Sequence, residues 1–188
     1  SGGLLVKTRA IAPRGLFCKV VPMQSAAVSD EVILRAYASG DFDWLVDLHG
    51  RHYAEAEGFD ATFAPLVASI LQDFEAQHDP AYERGWVAER NGARLGSIFC
   101  VKLDERTAKL RLFILVPEAR GIGLGKRMLE TCTGFARACR YESMQLWTHE
   151  SHEAACALYR ANDWHCTSSK PVHSFGVDLV EQAWEVTL

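Results

Sequence analysis

Nowhere in these 188 residues does an apolar run approach the roughly 20 residues that a membrane-crossing helix requires, so no helical membrane segment is expected. An excess of basic residues is also lacking. The net charge is -4 and the pI is near 6.0, which gives no support for a nucleic-acid-binding surface and is compatible with a cationic partner such as an amine. No Cys-x-x-Cys pair occurs among the six cysteines, Cys18, Cys100, Cys132, Cys139, Cys156 and Cys166. They sit mostly in apolar strand or helix patterns, so they read as small buried thiols of a reducing cytoplasm, not as three disulfides or a zinc site. No other ligand spacing suggests a metal, and internal repeats and low-complexity segments are absent. The opening Ser1-Gly2-Gly3 reads as a cloning scar and is left out of fold reasoning.

With 48% hydrophobic and 23% charged residues, the chain has the composition of one globular domain able to bury a sizeable core. Residues 1–30 form an N-terminal extension with one strand candidate, Gly15 to Val21, and a linker from Pro22 to Asp30. The domain proper spans 31–188. Val32 to Tyr37 is a first strand, and Ser39-Gly40-Asp41 starts a helix carrying Trp44, Leu45, Leu48, His52 and Tyr53 at helical spacing. Gly58 ends it. Asp60-Ala61-Thr62 starts a second helix with Phe63, Leu66, Val67, Ile70, Leu71 and Phe74 on one side. After Pro80 the period changes to two. Three antiparallel strands follow, Trp86–Arg90, Leu95–Leu103 and Leu110–Val116, the first pair joined by the Asn91-Gly92 hairpin turn. A helix to Cys139 leads to a strand at Met144–Thr148, which should lie parallel to its predecessor because helices flank it. Ser151 caps a last helix, and strands near Trp164–Ser169 and Leu179–Leu188 close the chain.

The stretch that organises the rest is Leu110 to Cys139. A strand breaks at Pro117, and Arg120-Gly121-Ile122-Gly123-Leu124-Gly125-Lys126 runs directly into a helix. Strand, glycine-rich turn and helix in that order offer backbone N–H groups at a positive helix end, a site for an anion and most often a phosphate. A P-loop would need glycine at Arg120 and Ser or Thr at Arg127. A dinucleotide fingerprint starting at Gly121 would need glycine at Lys126. Both fail, leaving Arg-x-x-Gly-x-Gly at Arg120, Gly123 and Gly125.

This motif resembles motif A of the GNAT N-acetyltransferase superfamily, and the order β-α-α-β-β-β-α-β-α-β-β is also that of the GNAT fold. The resemblance covers about residues 32–188. Within it the chain looks closest to the acetyltransferase half of fusions between MarR-type regulators and acetyltransferases. The stretches that match are Lys109-Leu110-Arg111-Leu112, Leu146-Trp147-Thr148, and His173-Ser174-Phe175-Gly176 with Asp178-Leu179-Val180 and Gln182. No preceding segment is long enough for a winged helix, so DNA binding is not expected. The implied fold is mixed α/β: a central, mostly antiparallel sheet flanked by helices, with one parallel strand pair at the coenzyme A site.

The implied activity is transfer of the acetyl group of acetyl-CoA to a primary amine, small-molecule or peptide, in the cytoplasm, by direct attack in a ternary complex and without a metal. A homodimer is left open. The runner-up is a non-catalytic coenzyme A-binding module. By resemblance, pantetheine lies along Leu115 and Val116, and the pyrophosphate lies on Arg120, Gly121, Ile122, Gly123, Leu124, Gly125 and Lys126. From the next helix, Ala155 and Tyr159 fit the family pattern Ala-x-x-Leu-Tyr, with Tyr159 as the acid for the departing thiolate and His152 standing where many relatives have Asn. Asp163-Trp164 stands where many have Gly-Phe, so that helix is expected to close differently. Acceptor contacts are expected from His49, His52, Tyr53, Glu55 and Glu57 on the first helix and from His173. An alkylamine with a pKa of about 10.4 is neutral in only about one molecule in 10³ near pH 7, so a base is needed. His173, in a loop before the last strand, is the favoured one, ahead of His49 and Glu57.

Overall fold

The computed structural model describes residues 30–188, so the expected strand at Gly15–Val21 and nearly all of the linker lie outside the described residues. Seven strands and four helices follow in the expected order: β1 (Ile33–Ala36), α1 (Phe42–Glu57), α2 (Phe63–Gln77), β2 (Arg84–Arg90), β3 (Ala93–Lys102), β4 (Thr107–Leu115), α3 (Leu124–Ala138), β5 (Ser143–His149), α4 (Glu153–Arg160), β6 (His165–Ser174) and β7 (Val177–Thr187). Local chemistry sets the boundaries. Gly58, at φ 73°, closes α1 by donating to the Ala54 carbonyl at 3.1 Å. Asn91 and Gly92 take φ 53° and 79°, the two left-handed positions of a tight hairpin turn. Asp41 is buried and accepts from Arg35 at 2.8 and 2.9 Å and from Arg94 at 2.7 Å, tying the entrance of α1 to β1 and β3.

The strands form one sheet in the order β1-β2-β3-β4-β5-β7-β6, antiparallel throughout except for β4 and β5. α3 and α4 cover one face. Leu124, Met128, Leu129, Cys132 and Ala136 of α3 are buried there with Ile98, Cys100, Leu110, Met144, Leu146 and Trp184 of the sheet. Each leucine-sized side chain removed from water in this way contributes about 1.5–3 kcal/mol. α1 and α2 cover part of the other face with Leu45, Val67, Leu71 and Phe74 packed on Phe99.

Two irregularities in β4 position the site. Ser97 pairs with Ile114 but Phe99 pairs with Arg111, so β4 carries one extra residue, a bulge, where Leu112 takes φ 48°. The Leu112 carbonyl accepts from Ser97 Oγ at 2.6 Å. Beside the bulge β3 and β4 run so close that a Cβ on Gly96 would lie 2.3 Å from the Ile114 carbonyl oxygen. On its other edge β4 pairs with β5 only at Thr107–Lys109 against Ser143–Gln145, and beyond those residues the two parallel strands part into a fork.

Three expectations are corrected. β6 runs on to Ser174, so His173 lies in a strand and not in a loop, with Phe175-Gly176 as the hairpin turn into β7. Ser151 does not cap α4. His152 is the N-cap residue, and the Ser151 hydroxyl donates to Glu57 at 2.8 Å instead. Asp163 adopts the left-handed conformation, φ 64°, that a glycine would take, so α4 still closes, with the Trp164 amide donating to the Tyr159 carbonyl at 3.1 Å. The described cysteines, Cys100, Cys132, Cys139, Cys156 and Cys166, are all free thiols.

Candidate functional site

The turn between β4 and α3 is a run of unused donors. Among the described residues, none of the six consecutive amides from Gly121 to Lys126 donates to a backbone carbonyl, and the first amide to do so is that of Arg127, to Gly123 at 3.1 Å. Gly121 and Gly123 make this possible by taking φ 76° and 79°. A Cβ on either would meet nothing within 4 Å, so it is the left-handed backbone that calls for glycine here. Gly125 is the one of the three whose added Cβ would touch the core, at 3.4 Å from Leu158 and 3.5 Å from Leu115. Leu124 buries its side chain and contributes its amide, while Ile122 is exposed and Lys126 lies 3.5 Å from Glu130. Six free N–H groups at the start of a 15-residue helix fit a pyrophosphate.

Arg120 is folded back over this turn. Its Nη2 donates to the Leu115 carbonyl at 3.2 Å and to His52 Nε2 at 3.3 Å. Val116 has both backbone groups engaged, its amide to Leu95 at 2.9 Å and its carbonyl from Ala119 at 3.0 Å. The β5-facing edge of β4 beyond Lys109 has no strand partner, so an extended chain such as pantetheine can pair there.

Behind the fork stands Tyr159. It is buried among Phe113, Trp164 and Trp184, with ring centroids 5.7–6.4 Å away. Burial first, and the nearby Tyr53 second, push its phenol well above the ordinary tyrosine range. It remains an uncharged O–H donor at any physiological pH. Ala155, one turn earlier, packs against the same core.

A bulged strand, a fork and a cradle of free amides are brought together in one place. Residues 43–164 match the acetyltransferase (GNAT) family. The chain belongs to this family. It is a GNAT N-acetyltransferase, and acetyl-CoA is its co-substrate. The acetyltransferase of Streptococcus agalactiae superposes with a TM-score of 0.70 at 22% identity, over 84% of this chain and 98% of that one. The Salmonella typhimurium protein yncA, solved with its cofactor acetyl-CoA, gives 0.69 at 18% identity over 84% and 94%. The ribosomal-protein-alanine N-acetyltransferase of Brucella melitensis gives 0.68 at 17% over 83% and 99%. At these identities the likeness establishes the fold. No curated protein matches the sequence.

Where the sequence predicts acceptor contacts, α1, β5 and the start of α4 bring an aromatic and histidine cluster together. His49 is buried, and its Nδ1–H donates to the Leu45 carbonyl at 2.8 Å; desolvation lowers its pKa to about 4. His52 meets Arg120 and is held below its ordinary value by burial and by that guanidinium. Tyr53 stacks on Phe59, and burial, then Glu57, raises its pKa to about 12. Glu57 accepts from Ser151 and lies 3.4 Å from His152 Nε2, on the wall of an open depression of about 610 Å³ shared with Val177 and Leu179. His152 shares a hydrogen bond with Thr148 Oγ1 at 3.0 Å through its other nitrogen, and burial lowers its pKa to about 4. Both its nitrogens therefore face protein. Glu55 is exposed.

His173 stands apart from this cluster. Its side chain is 69% exposed and its Nδ1–H donates to Asp178 at 2.7 Å across the β6–β7 hairpin. The sequence reading did not single out His149, at the end of β5. It packs against Phe59 and His152, and its Nδ1 is buried without a hydrogen bond among the described residues; His152 Nε2 also lacks one, with Glu57 at 3.4 Å as its near neighbour. Its place as the last residue of a strand that splays from its neighbour was the available signal. Among the described residues no group of three or more His, Cys, Asp or Glu side chains could hold a metal.

Proposed function

We propose that this protein moves the acetyl group of acetyl-CoA to a primary amine by direct attack within a ternary complex. The run of six unpaired amides opening beside the β4–β5 fork carries this reading, because it gives a diphosphate and its attached acyl arm adjoining places. Acetyl-CoA supplies the activated acyl group. The cradle from Gly121 to Lys126 holds the pyrophosphate, with Arg120 able to exchange the Leu115 carbonyl for a phosphate oxygen. Leu115 and the open edge of β4 align the pantetheine. Backbone N–H groups beside the Leu112 bulge are the donors for the carbonyl oxygen as it gains charge. The amine nitrogen bonds the acetyl carbon, the carbon–sulfur bond breaks, and the amine gives up a proton. Tyr159 donates to the departing sulfur.

For the amine proton, His149 at the end of β5, neutral at pH 7 because burial lowers its pKa, is a better candidate than exposed His173, while His152 has both nitrogens turned to protein and holds the neighbouring ring in place. The free cysteines fit a cytoplasmic protein, and β6, exposed along most of its length at the sheet edge, leaves room for a second copy. Within the stretches shared with the regulator fusions, Phe175 has a packing role, stacking on Phe59 at 4.8 Å.

The test is a screen of primary amines with acetyl-CoA and a thiol-detecting readout, alongside a thermal-shift titration with acetyl-CoA. Thiol release that depends on the amine, with a raised melting point, is the expected result. A flat shift at saturating acetyl-CoA with folded protein would sink the reading.

A further inference from the structure

We propose that the acceptor amine of this enzyme also carries a carboxylate, and that Lys109 and Arg111, beside Trp147, bind it at the fork. The inference rests on the transfer reading above and names the substrate class of that site.

Lys109 and Arg111 are two apart on β4 and so share a face. Their partners on β3 are Val101 and Phe99, which pack with α1 and α2, so this is the acceptor face and not the one covered by α3 and α4. Both side chains are half-buried. Elsewhere the protein pairs such cations. Arg35 binds Asp41 and Glu89, and Arg94 binds Asp41, all within 2.9 Å. Among the described residues, neither Lys109 nor Arg111 has a carboxylate within 4.0 Å or a hydrogen-bond partner. The acidic groups that face them are more distant: Asp73 on α2 acts on Arg111, and Glu181 on β7 acts on Lys109 but is itself tied to Lys170 at 3.4 Å. Glu185, further along β7, is engaged by Gln145 at 2.7 Å. Two half-buried like charges side by side are destabilising unless an anion joins them. Desolvation, and for Lys109 the adjacent guanidinium, lowers the pKa of both.

Trp147 supplies a second observation. It is 42% exposed, with Lys109 Nζ 4.2 Å from its ring centroid. A large aromatic left open on the sheet floor beside two unpaired cations is the lining of a ligand subsite rather than of a core. Position supplies the third. Lys109 is the last residue of β4 paired to β5, and Arg111 immediately precedes the bulge at Leu112. Adjacent Cα atoms are about 3.8 Å apart. Arg111 thus adjoins the bulge whose backbone N–H groups are assigned to the acetyl carbonyl, so a carboxylate held there belongs to the same short acceptor molecule as the attacking amine. A planar, bidentate guanidinium suits a carboxylate, with the ammonium of Lys109 as a second point of charge.

The experiment uses amino acids, their primary amides and the corresponding decarboxylated amines as matched acceptors, with acetyl-CoA and thiol detection. The wild type should use the carboxylate members with kcat/KM at least about tenfold higher. In Arg111→Gln and in Lys109→Gln that preference should shrink toward equality, while the acetyl-CoA thermal shift persists and reports intact folding. Arg111→Lys should keep part of the preference. If Arg111→Gln does not fold, Lys109→Gln alone decides, and an unchanged preference there overturns the proposal. Amides or decarboxylated amines used as well as the acids overturn it too, and leave acetyl transfer to amines standing. Acetyl-CoA binding with no turnover in any of the three series overturns both readings.

Discussion

The cradle at Gly121–Lys126 and the acceptor site proposed across β4 and β5 are built by opposite means. The cradle is six successive residues, and what it offers is main chain. Its side chains go elsewhere, Leu124 into the core, Ile122 into solvent and Lys126 toward Glu130. The acceptor site proposed above draws on side chains of separate elements: Tyr53 and Glu57 from α1, Lys109 and Arg111 from β4, Trp147 and His149 from β5, His152 at the start of α4 and Phe175 in the β6–β7 turn. A backbone site is written as spacing and glycine, so it tolerates change at most of its positions. A side-chain site depends on identity at each position and is free to differ from one relative to the next.

The sharpest break of this comparison is Tyr159→Phe, a side-chain change with no effect expected on the cradle. Cofactor binding should survive while single-turnover rates fall by about 10²–10⁴. Equal rates would reduce Tyr159 to packing among Phe113, Trp164 and Trp184.

Acid should act next, and on the side of the acceptor site. The pKa of buried His49 is lowered from 6.5 to about 4, so below pH 6.5 the unfolded chain takes up a proton that the folded chain refuses. Stability is therefore intact above pH 6.5 and is lost as pH falls toward 4, by about 3 kcal/mol for His49 alone. His152 adds to the same window. Denaturant titrations across it should give a slope that His49→Gln flattens; a slope unchanged by that variant would place the proton uptake elsewhere.

Gly123→Val tests the cradle in turn. Wild-type protein at a hundredfold excess of acetyl-CoA over its Kd should gain about 2.7 kcal/mol, or roughly 5–10 °C in Tm for a domain of this size. The variant, forced away from φ 79°, should show no such gain; its own melting point should fall only by the local strain of the turn, since an added Cβ meets nothing within 4 Å and the core is untouched. A retained shift would mean the main-chain geometry is not what holds the cofactor. The smallest effect belongs to His173→Gln. An exposed histidine tied to Asp178 should alter stability by no more than about 0.5 kcal/mol and leave the pH–rate profile in place. A lost rising limb near neutrality would return His173 to the role of base.

The same contrast explains what could be seen in the sequence. Element order, the parallel β4–β5 pair and the Arg120–Lys126 turn were legible because each is set by residues close together in the chain: Asn91-Gly92 for the hairpin, Gly58 for the end of α1, Gly121 and Gly123 for the turn. The β4 bulge was not, because Leu112 has no special residue type and its φ of 48° is imposed by Gly96 and Ser97 on the neighbouring strand. Ser151 looked like a cap, and its hydroxyl went to Glu57, 94 residues away. His149 stayed hidden because an end-of-strand histidine gains meaning only once Phe59 and His152 surround it. His173 was expected in a loop, but β6 continues through Pro171, which an edge strand tolerates because its missing N–H faces no partner.

The fork also has a mechanical side. β1 to β4 form one ladder and β5, β7 and β6 another, and the seam between them is the short pairing of Thr107–Lys109 with Ser143–Gln145. Beyond that seam a few loop hydrogen bonds link the two halves, Glu142 to Arg106 beside the seam and Asp60 to Phe175 at the β6–β7 turn, and the rest is side-chain packing, chiefly α3 and α4 against Leu110, Met144, Leu146 and Trp184. Packing is non-directional, so it can yield by small amounts where a hydrogen-bonded ladder would either hold or break. The two blocks can thus flex about the seam like a hinged clip, widening the gap to admit an acyl arm and narrowing it around that arm without giving up a single rung of either ladder.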